Sequence, residues 1–247
     1  MKVGFKTDKG LRRSNNEDAC FVLKKEKVFI VADGVGGNNS GEIASRTCVD
    51  EIAKFVETHD LKELHDEGEI QQYFEKCIKD VNFKILELSQ RHEENWGMAT
   101  TVVVAHLRDG KAYILNVGDS RAYLLRNGIL SQITEDHTYV NTLVKAGLIT
   151  AEEAETHENR NMITRAVGAE YRVEPDFFIL PVEMGDKILL CTDGLHGEVG
   201  TEELVYQLSE DREMTDICEA LVEAANRNGG SDNITLVVVN VTEEDVK

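Results

Sequence analysis

With 247 residues, of which 41% are hydrophobic and 30% charged, the chain has the composition of a folded globular protein rather than a disordered one. Its formal net charge of −19 argues against binding to nucleic acid or anionic membranes, because both require basic surfaces. The longest apolar stretch is too short to span a membrane, and the first residues lack a signal-peptide segment. We therefore expect a cytoplasmic protein without membrane insertion.

No stretch rich in Pro, Gly or Ser divides the chain, which predicts one domain over residues 1–247. The five cysteines are widely spaced and include no Cys-x-x-Cys pair, so neither a zinc site nor a disulfide framework is predicted. We expect them to be small core residues in a reducing compartment. No coiled-coil heptads are present, and a monomer is expected.

The apolar pattern predicts a mixture of strands and helices. Strand-like runs occur at residues 28–32, 100–106, 111–117, 122–126, 129–134, 177–181, 187–191 and 234–241. Helical spacing of apolar residues occurs at 42–57, 69–91, 202–208 and 215–226. Helices and strands come in blocks, which favours antiparallel sheets packed together with helices outside them over a βαβ parallel sheet. The polar, helix-prone stretch 137–161 interrupts the strands and is predicted to form a flap.

Two dipeptides predict hairpin turns. Asn127-Gly128 joins two strand-like runs and has the composition of a type I′ turn. Asp109-Gly110 lies between two other runs that could pair, and we interpret it in the same way.

Three short apolar runs have an aspartate at or beside one end, with glycine close by. Asp33 and Asp193 are each followed by glycine, and Asp232 follows a Gly-Gly-Ser segment. Buried strands end rigidly, glycine permits close approach, and clustered carboxylates repel one another unless a cation neutralises them. The sequence therefore predicts a carboxylate cage for a hard metal ion, and the all-oxygen donor set favours Mg²⁺ or Mn²⁺ over zinc, copper or iron.

Near the start of the chain, Arg13 shortly precedes the acids Glu17 and Asp18. Arginine can bind two oxygens of a phosphate at once, and divalent ions commonly serve phosphate chemistry. Taken alone, however, this segment also fits a surface turn with charged residues.

Eight segments follow one another in an order that resembles a known family. They are residues 13–18, 33–37, 97–101, 118–121, 134–137, 164–168, 192–194 and 231–235. Together they resemble the motifs of the PPM (PP2C-type) metal-dependent protein serine/threonine phosphatases, and the compact length and the flap resemble the bacterial branch. Each motif is weak alone, but all eight occur in order across nearly the whole chain. The resemblance implies an α+β fold, in which two antiparallel β-sheets form a sandwich flanked by helices on both outer faces (α-β-β-α), with a helical flap.

The resemblance also implies roles for four residues of a two-metal centre. Asp33, Asp193 and Asp232 match the carboxylates that hold two Mn²⁺ or Mg²⁺ ions. Asp33 matches the residue between both ions, and the carbonyl of Gly34 matches a further ligand.

Other residues match supporting positions of the same family. Glu17 and Asp18 match acids that hold metal-bound waters, and Arg13 matches the residue that grips the substrate phosphate. In bacterial members a third, weaker metal is bound by residues that match Asp119 and Asp193.

The reaction implied by the resemblance is hydrolysis of phosphoserine and phosphothreonine in proteins by a hydroxide that bridges the two ions, without a phosphoenzyme. The implied partners are phosphorylated proteins, including a Ser/Thr kinase that a bacterial member usually opposes. Animal members carry a histidine, proposed as the acid for the leaving group, where this chain has Val35. A metal-bound water is therefore the expected proton donor.

Two alternatives remain open at this point. One is a non-catalytic relative that binds phosphoproteins, although such proteins typically lose a metal carboxylate that this chain retains. The other is a phosphatase of a small phosphorylated metabolite or of a specific regulator. We predict that His137 and His157 are solvated loop residues and that Trp96 is a core or boundary residue. Arg121 fits either a phosphate contact or a structural ion pair, and we assign it no catalytic role.

Overall fold

The computed structural model describes residues 1–36 and 40–246. Its strands are β1 (Lys2–Asp8), β2 (Asp18–Leu23), β3 (Val28–Val35), β4 (Ala99–Thr100), β5 (Val102–Arg108), β6 (Lys111–Val117), β7 (Arg121–Arg126), β8 (Ile129–Gln132), β9 (Asp176–Pro181), β10 (Lys187–Cys191) and β11 (Ile234–Asn240). Its helices are α1 (Ser40–Thr58), α2 (Glu67–Arg91), α3 (Tyr139–Lys145), α4 (Ala151–Glu155), α5 (Asp193–His196), α6 (Thr201–Ser209) and α7 (Met214–Asn228). Gly37, the last residue of the segment 33–37, lies outside the described residues.

The strands form two antiparallel sheets. The first sheet has the order β1-β11-β10-β7-β8. The second has the order β2-β3-β5-β6-β9, with the short β4 paired to β3. The predicted α+β class, a sandwich of two antiparallel sheets flanked by helices, is confirmed.

Alternation along β3 shows how the layers are held together. Phe29 and Val31 belong to the core between the sheets, where they join Val237 and Val239 of β11. Ile30, which lies between them in sequence, belongs instead to the core under α1 and α2. Successive side chains of a strand point to opposite faces, so a strand covered on both faces must be apolar throughout. A third core lies between the first sheet and helices α5, α6 and α7.

The predicted helices and all eight predicted strand runs are present, with ends shifted by a few residues. Two strands were not predicted. In β1 the charged side chains of Lys2 and Lys6 interrupt the apolar pattern, because this edge strand pairs only with β11. Its Gly4 is required by close packing, since a Cβ there would lie 2.3 Å from the backbone of Met214 on α7. β2 was missed because we interpreted the acids around its start as part of a turn.

Both predicted hairpin turns are confirmed. Asp109 and Gly110 have φ values of 50° and 71°, and they connect the antiparallel pair β5–β6. Asn127 and Gly128 have φ values of 51° and 77° between β7 and β8. Positive φ at both central residues is the requirement of a type I′ turn.

The flap contains α3 and α4, in agreement with the helix-prone sequence. Thr138 caps α3 by accepting a hydrogen bond from the N–H of Asn141 (3.2 Å). Thr150 and Glu153 form a reciprocal capping box at the start of α4. These local signals explain two short helices in a segment that has few buried residues.

The prediction that Trp96 is a core or boundary residue was wrong, because Trp96 is 82% exposed.

Four of the cysteines are buried and Cys20 is half-buried, all with free thiols. Within residues 1–36 and 40–246, no helix combines the length and hydropathy needed to cross a lipid bilayer.

Candidate active site

The three predicted aspartates meet at one end of the sandwich. Asp33 lies near the end of β3 in the second sheet. Asp193 is the first residue of α5, two residues after the end of β10, and Asp232 lies in the turn before β11 of the first sheet. The charges of both Asp193 and Asp232 raise the pKa of Asp33, which is expected of carboxylates in one small space. Facing strand ends therefore bring together residues that are up to 199 positions apart in sequence.

Two threonines fix the backbone of Asp33. The backbone N–H of Thr101 and the hydroxyl of Thr100 both donate to the Asp33 carbonyl at 2.8 Å. The N–H of Asp33 donates to Thr101 Oγ1 at 3.0 Å, and that hydroxyl lies 2.7 Å from Ser120 Oγ. Sequence reasoning placed Thr100 and Thr101 in a motif but assigned them no role.

Close backbone contact positions the other two aspartates. A Cβ on Gly194 would lie 2.0 Å from the carbonyl oxygen of Asn233 and 3.3 Å from Asp232 Cβ. Glycine is thus required where the turn after Asp193 touches the turn of Asp232. Asn233 was also missed; its side chain donates to the carbonyls of Lys9 (2.9 Å) and Asn15 (2.8 Å) and so holds the N-terminal loop against the site.

Glu17 and Gly34 are joined by their backbones. The N–H of Gly34 donates to the Glu17 carbonyl at 3.1 Å, and the N–H of Glu17 donates to Asn233 Oδ1 at 2.8 Å. A Cβ on Gly34 would lie 2.0 Å from the carbonyl oxygen of Gly41 at the start of α1. Any larger residue at position 34 would push α1 away from the strand end that carries Asp33.

Asp18 is buried beside the cluster with an incomplete set of hydrogen bonds. It is paired with Asp33 in the register of β2 and β3. The Thr192 hydroxyl donates to Asp18 Oδ2 at 2.9 Å, whereas Oδ1 has no hydrogen-bond partner among the described residues. A buried unpaired oxygen is costly, and it indicates a missing donor, water or cation.

Arg13 is the cation that contacts the cluster directly. Its Nη2 donates to Asp232 Oδ2 at 2.6 Å, with the Arg13 side chain 52% exposed and that of Asp232 29% exposed. The guanidinium therefore lies at the mouth of the site, where it can exchange one oxyanion partner for another.

The cluster holds more negative charge than its surroundings neutralise. Burial, followed by the charges of Asp18 and Asp193, raises the pKa of Asp33 well above its ordinary value. Burial is also the main cause that raises the pKa of Asp18 to about 8 and that of Asp119 to about 7. The pKa of Asp193 is raised by burial and by Asp232. A bound cation would remove this mutual repulsion.

The donor set fits a hard divalent cation. Asp193 Oδ1, like Asp18 Oδ1, is buried without a hydrogen-bond partner in the described part of the chain. Within residues 1–36 and 40–246, however, no three His, Cys, Asp or Glu side chains are arranged so that they could hold a metal ion as they stand. The available ligands are carboxylates and carbonyls, which Mg²⁺ and Mn²⁺ prefer.

Asp119 lies at the edge of the cluster and is held by a residue that the sequence reasoning missed. His196, at the end of α5, donates from Nε2 to the Asp119 carbonyl at 3.0 Å. Burial lowers the pKa of His196 to about 4, so the ring is neutral and carries its proton on Nε2. The position of His196 three residues after Asp193 was the signal in the sequence that could have placed it near the cluster.

The prediction that His137 is solvated was wrong. The residue is only 8% exposed, and its Nδ1 accepts a hydrogen bond from the N–H of Gly118 at 3.0 Å. Its Nε2 lies 2.9 Å from Nη1 of Arg165 and 3.1 Å from Oδ2 of Asp176. His137 therefore ties the base of the flap to the loop that carries Asp119.

Two other side chains behave as structural residues. Arg121 donates from Nε and Nη2 to both carboxylate oxygens of Asp136, at 2.6–3.0 Å, which supports the ion-pair interpretation. His157 is half-buried within the flap, where its Nδ1 accepts from the N–H of Asn159 at 3.0 Å.

A cleft of about 740 Å³ separates the flap from the carboxylates. Asp119, Asp193 and Asp232 line one side, and the flap contributes Val140 and Arg160 to the other. Its size is that of an ordinary ligand pocket, and it gives a substrate access to the cluster.

Comparison with known proteins identifies close relatives. A family model described as protein phosphatase 2C matches residues 11–237. The serine/threonine phosphatase stp of Listeria innocua is 37% identical over 243 residues, which cover 97% of this chain and 95% of that protein. The protein phosphatase PhpP of Streptococcus pneumoniae is 37% identical over 251 residues and is covered completely, as is this chain.

Solved structures give the same result. The S. agalactiae serine/threonine phosphatase has a TM-score of 0.91 at 35% identity, with 97% of this chain and 99% of that chain covered. The catalytic domain of the serine/threonine protein phosphatase PstP, in complex with 2 manganese ions, has a TM-score of 0.86 at 33% identity and 98% coverage of both chains.

Proposed function

This chain is a serine/threonine protein phosphatase of the protein phosphatase 2C family, and we propose that it hydrolyses phosphoserine and phosphothreonine in proteins at a centre of two Mn²⁺ or Mg²⁺ ions. Asp33, Asp193 and Asp232 would hold the two ions, with the Gly34 carbonyl as a further ligand. The observation that carries the proposal is the proximity of these three aspartates, whose charges act on one another beside a solvent-accessible cleft that Asp193 and Asp232 line. The manganese ions named for the PstP structure support the same interpretation.

The chain's own residues would do three things around the bound ions. Asp33 would help to hold both ions, while Glu17 and Asp18 would hold water beside them. When bound, such ions lower the pKa of water and neutralise charge on phosphate. Arg13, at the mouth of the site, would leave Asp232 and pair with the phosphate oxygens that gain charge during the reaction.

Asp119 is proposed to bind a third, weaker ion together with Asp193. Its position at the cleft and its raised pKa are consistent with that role. His196 would keep its backbone in place.

The proposed substrates are phosphorylated proteins, including a Ser/Thr kinase that this phosphatase opposes. The cleft between the flap and the aspartates is open to solvent and has room for residues on either side of a phosphorylated side chain. We propose that residues 1–247 act as one phosphatase domain, which is supported by relatives of matching length.

The test is phosphate release from a phosphothreonine peptide by the full-length chain. We expect activity to disappear after chelation and to return with Mn²⁺ or Mg²⁺, and an Asp33→Asn variant measured in parallel should stay inactive with either ion. Asn keeps the volume of Asp but removes its negative charge, so we expect the variant to fold. Circular dichroism checks that it does. No release with any divalent ion from a folded protein that binds metal would contradict the proposal.

The alternative substrate class can be tested in the same assay. Phosphothreonine peptide, a phosphorylated kinase domain and sugar phosphates are supplied in competition at equal concentration. We expect the phosphoproteins to be preferred, because the open cleft would also contact the residues beside the phosphorylated one. A strong preference for sugar phosphate would instead establish a metabolite phosphatase.

Arg13→Ala separates phosphate binding from metal binding. We expect kcat/KM for the peptide to fall by roughly 30- to 150-fold, since a charged hydrogen bond to phosphate contributes about 2 to 3 kcal/mol. Metal affinity should stay equal or increase, because Arg13 no longer competes for Asp232. Calorimetric titration with Mn²⁺ measures the metal affinity. Arg13→Lys is the control that keeps the positive charge but cannot donate two parallel hydrogen bonds to one phosphate. Weaker metal binding in the Ala variant would show that Arg13 does not compete with the ion.

A further inference from the structure

A second cavity lies at the opposite end of the second sheet. It has a volume of about 540 Å³ and is lined by the turn between β2 and β3, the end of α1 and the end of β5. Val28 is the first residue of β3, and Asp33 is five residues further on, so the strand separates the cavity from the aspartates by about 17 Å. Lys27 and Arg108 line this cavity, whereas neither lines the cleft.

His106 is a buried polar residue in the wall of this cavity. The residue is 3% exposed, and its Nδ1 lies 3.3 Å from the Lys27 carbonyl. A carbonyl only accepts, so Nδ1 carries the proton of the neutral ring. Burial lowers the pKa of His106 to about 4, which keeps the ring neutral. Nε2 then has a free lone pair, and it is buried without a hydrogen-bond partner among the described residues, although the backbone of Glu26 also acts on the ring and raises its pKa.

Most cations around the cavity are already paired. Lys27 binds Asp245 at 2.7 Å, and Lys25 lies 3.5 Å from Glu26. Arg108 donates to the carbonyls of Leu61 and Leu64 and to Asp109. Among the lining residues that the structure describes, Lys62 is the remaining basic residue.

The remaining polar groups of the cavity lining are mostly hydrogen-bond acceptors and carboxylates. The exposed carboxylate of Glu57 has no hydrogen bond or ion pair in the described part of the chain, and it lies in the last turn of α1. A helix C-terminus carries partial negative charge, and this one has no basic residue in its last turn. Asp60 adds a second carboxylate, one oxygen of which accepts the N–H of Lys62.

We propose that this cavity binds a small organic cation rich in N–H donors, of the guanidine or primary amine class. One N–H would donate to His106 Nε2, while the charge would lie against Glu57, Asp60 and the end of α1. Val56 and Leu61 would contact the apolar part of the ligand. The net charge of −19 favours the approach of such a cation.

The test uses agmatine, which carries a guanidinium and a primary amine, and the full-length chain in excess Mg²⁺. Long-range ¹H–¹⁵N spectra of ¹⁵N-histidine-labelled protein report each ring nitrogen. We expect a saturable shift of the His106 Nε2 resonance, with little change at His196. Urea, which has N–H donors but no charge, should cause at most a small non-saturable shift.

Two variants locate the binding site by calorimetry. Glu57→Gln should bind agmatine at least about tenfold more weakly, because it removes the cation's partner. Glu63→Gln is the matched control, since Glu63 is a nearby exposed acid outside the cavity lining, and its affinity should be unchanged. Absence of a saturable shift at millimolar agmatine, unchanged binding by Glu57→Gln, or a larger response to inorganic phosphate would each overturn the proposal. None of these results depends on phosphatase activity.

Discussion

Replacing Asp193 by alanine is expected to reduce kcat for a phosphothreonine peptide by at least about 10³-fold, towards the uncatalysed rate. The carboxylate of Asp193 is central to the cluster, because its charge acts on Asp33 and Asp119 and its own Oδ1 lacks a partner in the described residues. Alanine removes a proposed ligand of the two-ion centre and of the third ion together. The measurement is initial phosphate release at saturating Mn²⁺.

Asp119→Ala is the matched comparison for this variant. Asp119 lies at the edge of the cluster, so its loss should remove the third ion and reduce turnover by roughly tenfold. The two central ions should persist. Anomalous scattering from Mn²⁺ in crystals of both variants distinguishes the cases. Loss of the central ions in Asp119→Ala, or turnover near wild type in Asp193→Ala, would contradict the assigned roles.

The sequence predicted the aspartate cluster because each aspartate lies beside an apolar strand and a glycine. Strand ends have few conformations, and an Asp-Gly or Gly-Gly-Ser neighbour limits what can surround the carboxylate. In the structure, Asp193 and Asp232 lie near enough for their charges to act on Asp33, and the roles of the three residues as metal ligands stay a prediction. The sandwich was predictable for a related reason, since uninterrupted apolar runs need a cover on both faces.

The contacts that support the cluster were not predictable from local pattern. Asn233 holds the N-terminal loop by bonds to residues more than 200 positions away, and no spacing rule encodes such a contact. His137 was expected in solvent because the sequence around it is polar, yet tertiary packing buries it against Gly118. The prediction for Trp96 was wrong in the opposite direction. Its size suggested a core position, but the turn before β4 leaves it exposed.

In metal-free buffer, the free energy of unfolding is expected to fall by roughly 2 to 4 kcal/mol between about pH 6.5 and 8. Burial raises the pKa of Asp18 to about 8 and that of Asp33 well above its ordinary value, whereas both titrate near about pH 4 when unfolded. The folded state therefore holds protons that the unfolded state has already lost. Stability from these groups is full below about pH 4 and is lost as pH rises to the folded pKa values.

Asp119, whose pKa burial raises to about 7, titrates inside this window and changes stability in the same direction as Asp18. The remaining groups do not obscure the window. His106 and His196, whose pKa values burial lowers to about 4, add stability as pH rises from about 4 to 6.5 and contribute no further change above that. The pKa of Asp176 is lowered by its bonds to His137 and Arg165 against the opposing effect of burial, so its contribution is lost only in more acidic solution.

Urea unfolding at several pH values, with and without saturating Mg²⁺, measures this dependence. Mg²⁺ should flatten it, because an ion held by deprotonated carboxylates replaces the protons that the metal-free cluster needs. Asp18→Asn should also reduce the slope in chelator, since its side-chain oxygen can still accept from Thr192 while the charge is gone. A free energy of unfolding that rises from about pH 6.5 to 8 in chelator would show that the folded state does not hold these protons. A falling slope that Mg²⁺ abolishes would link the buried carboxylates to metal binding independently of catalysis.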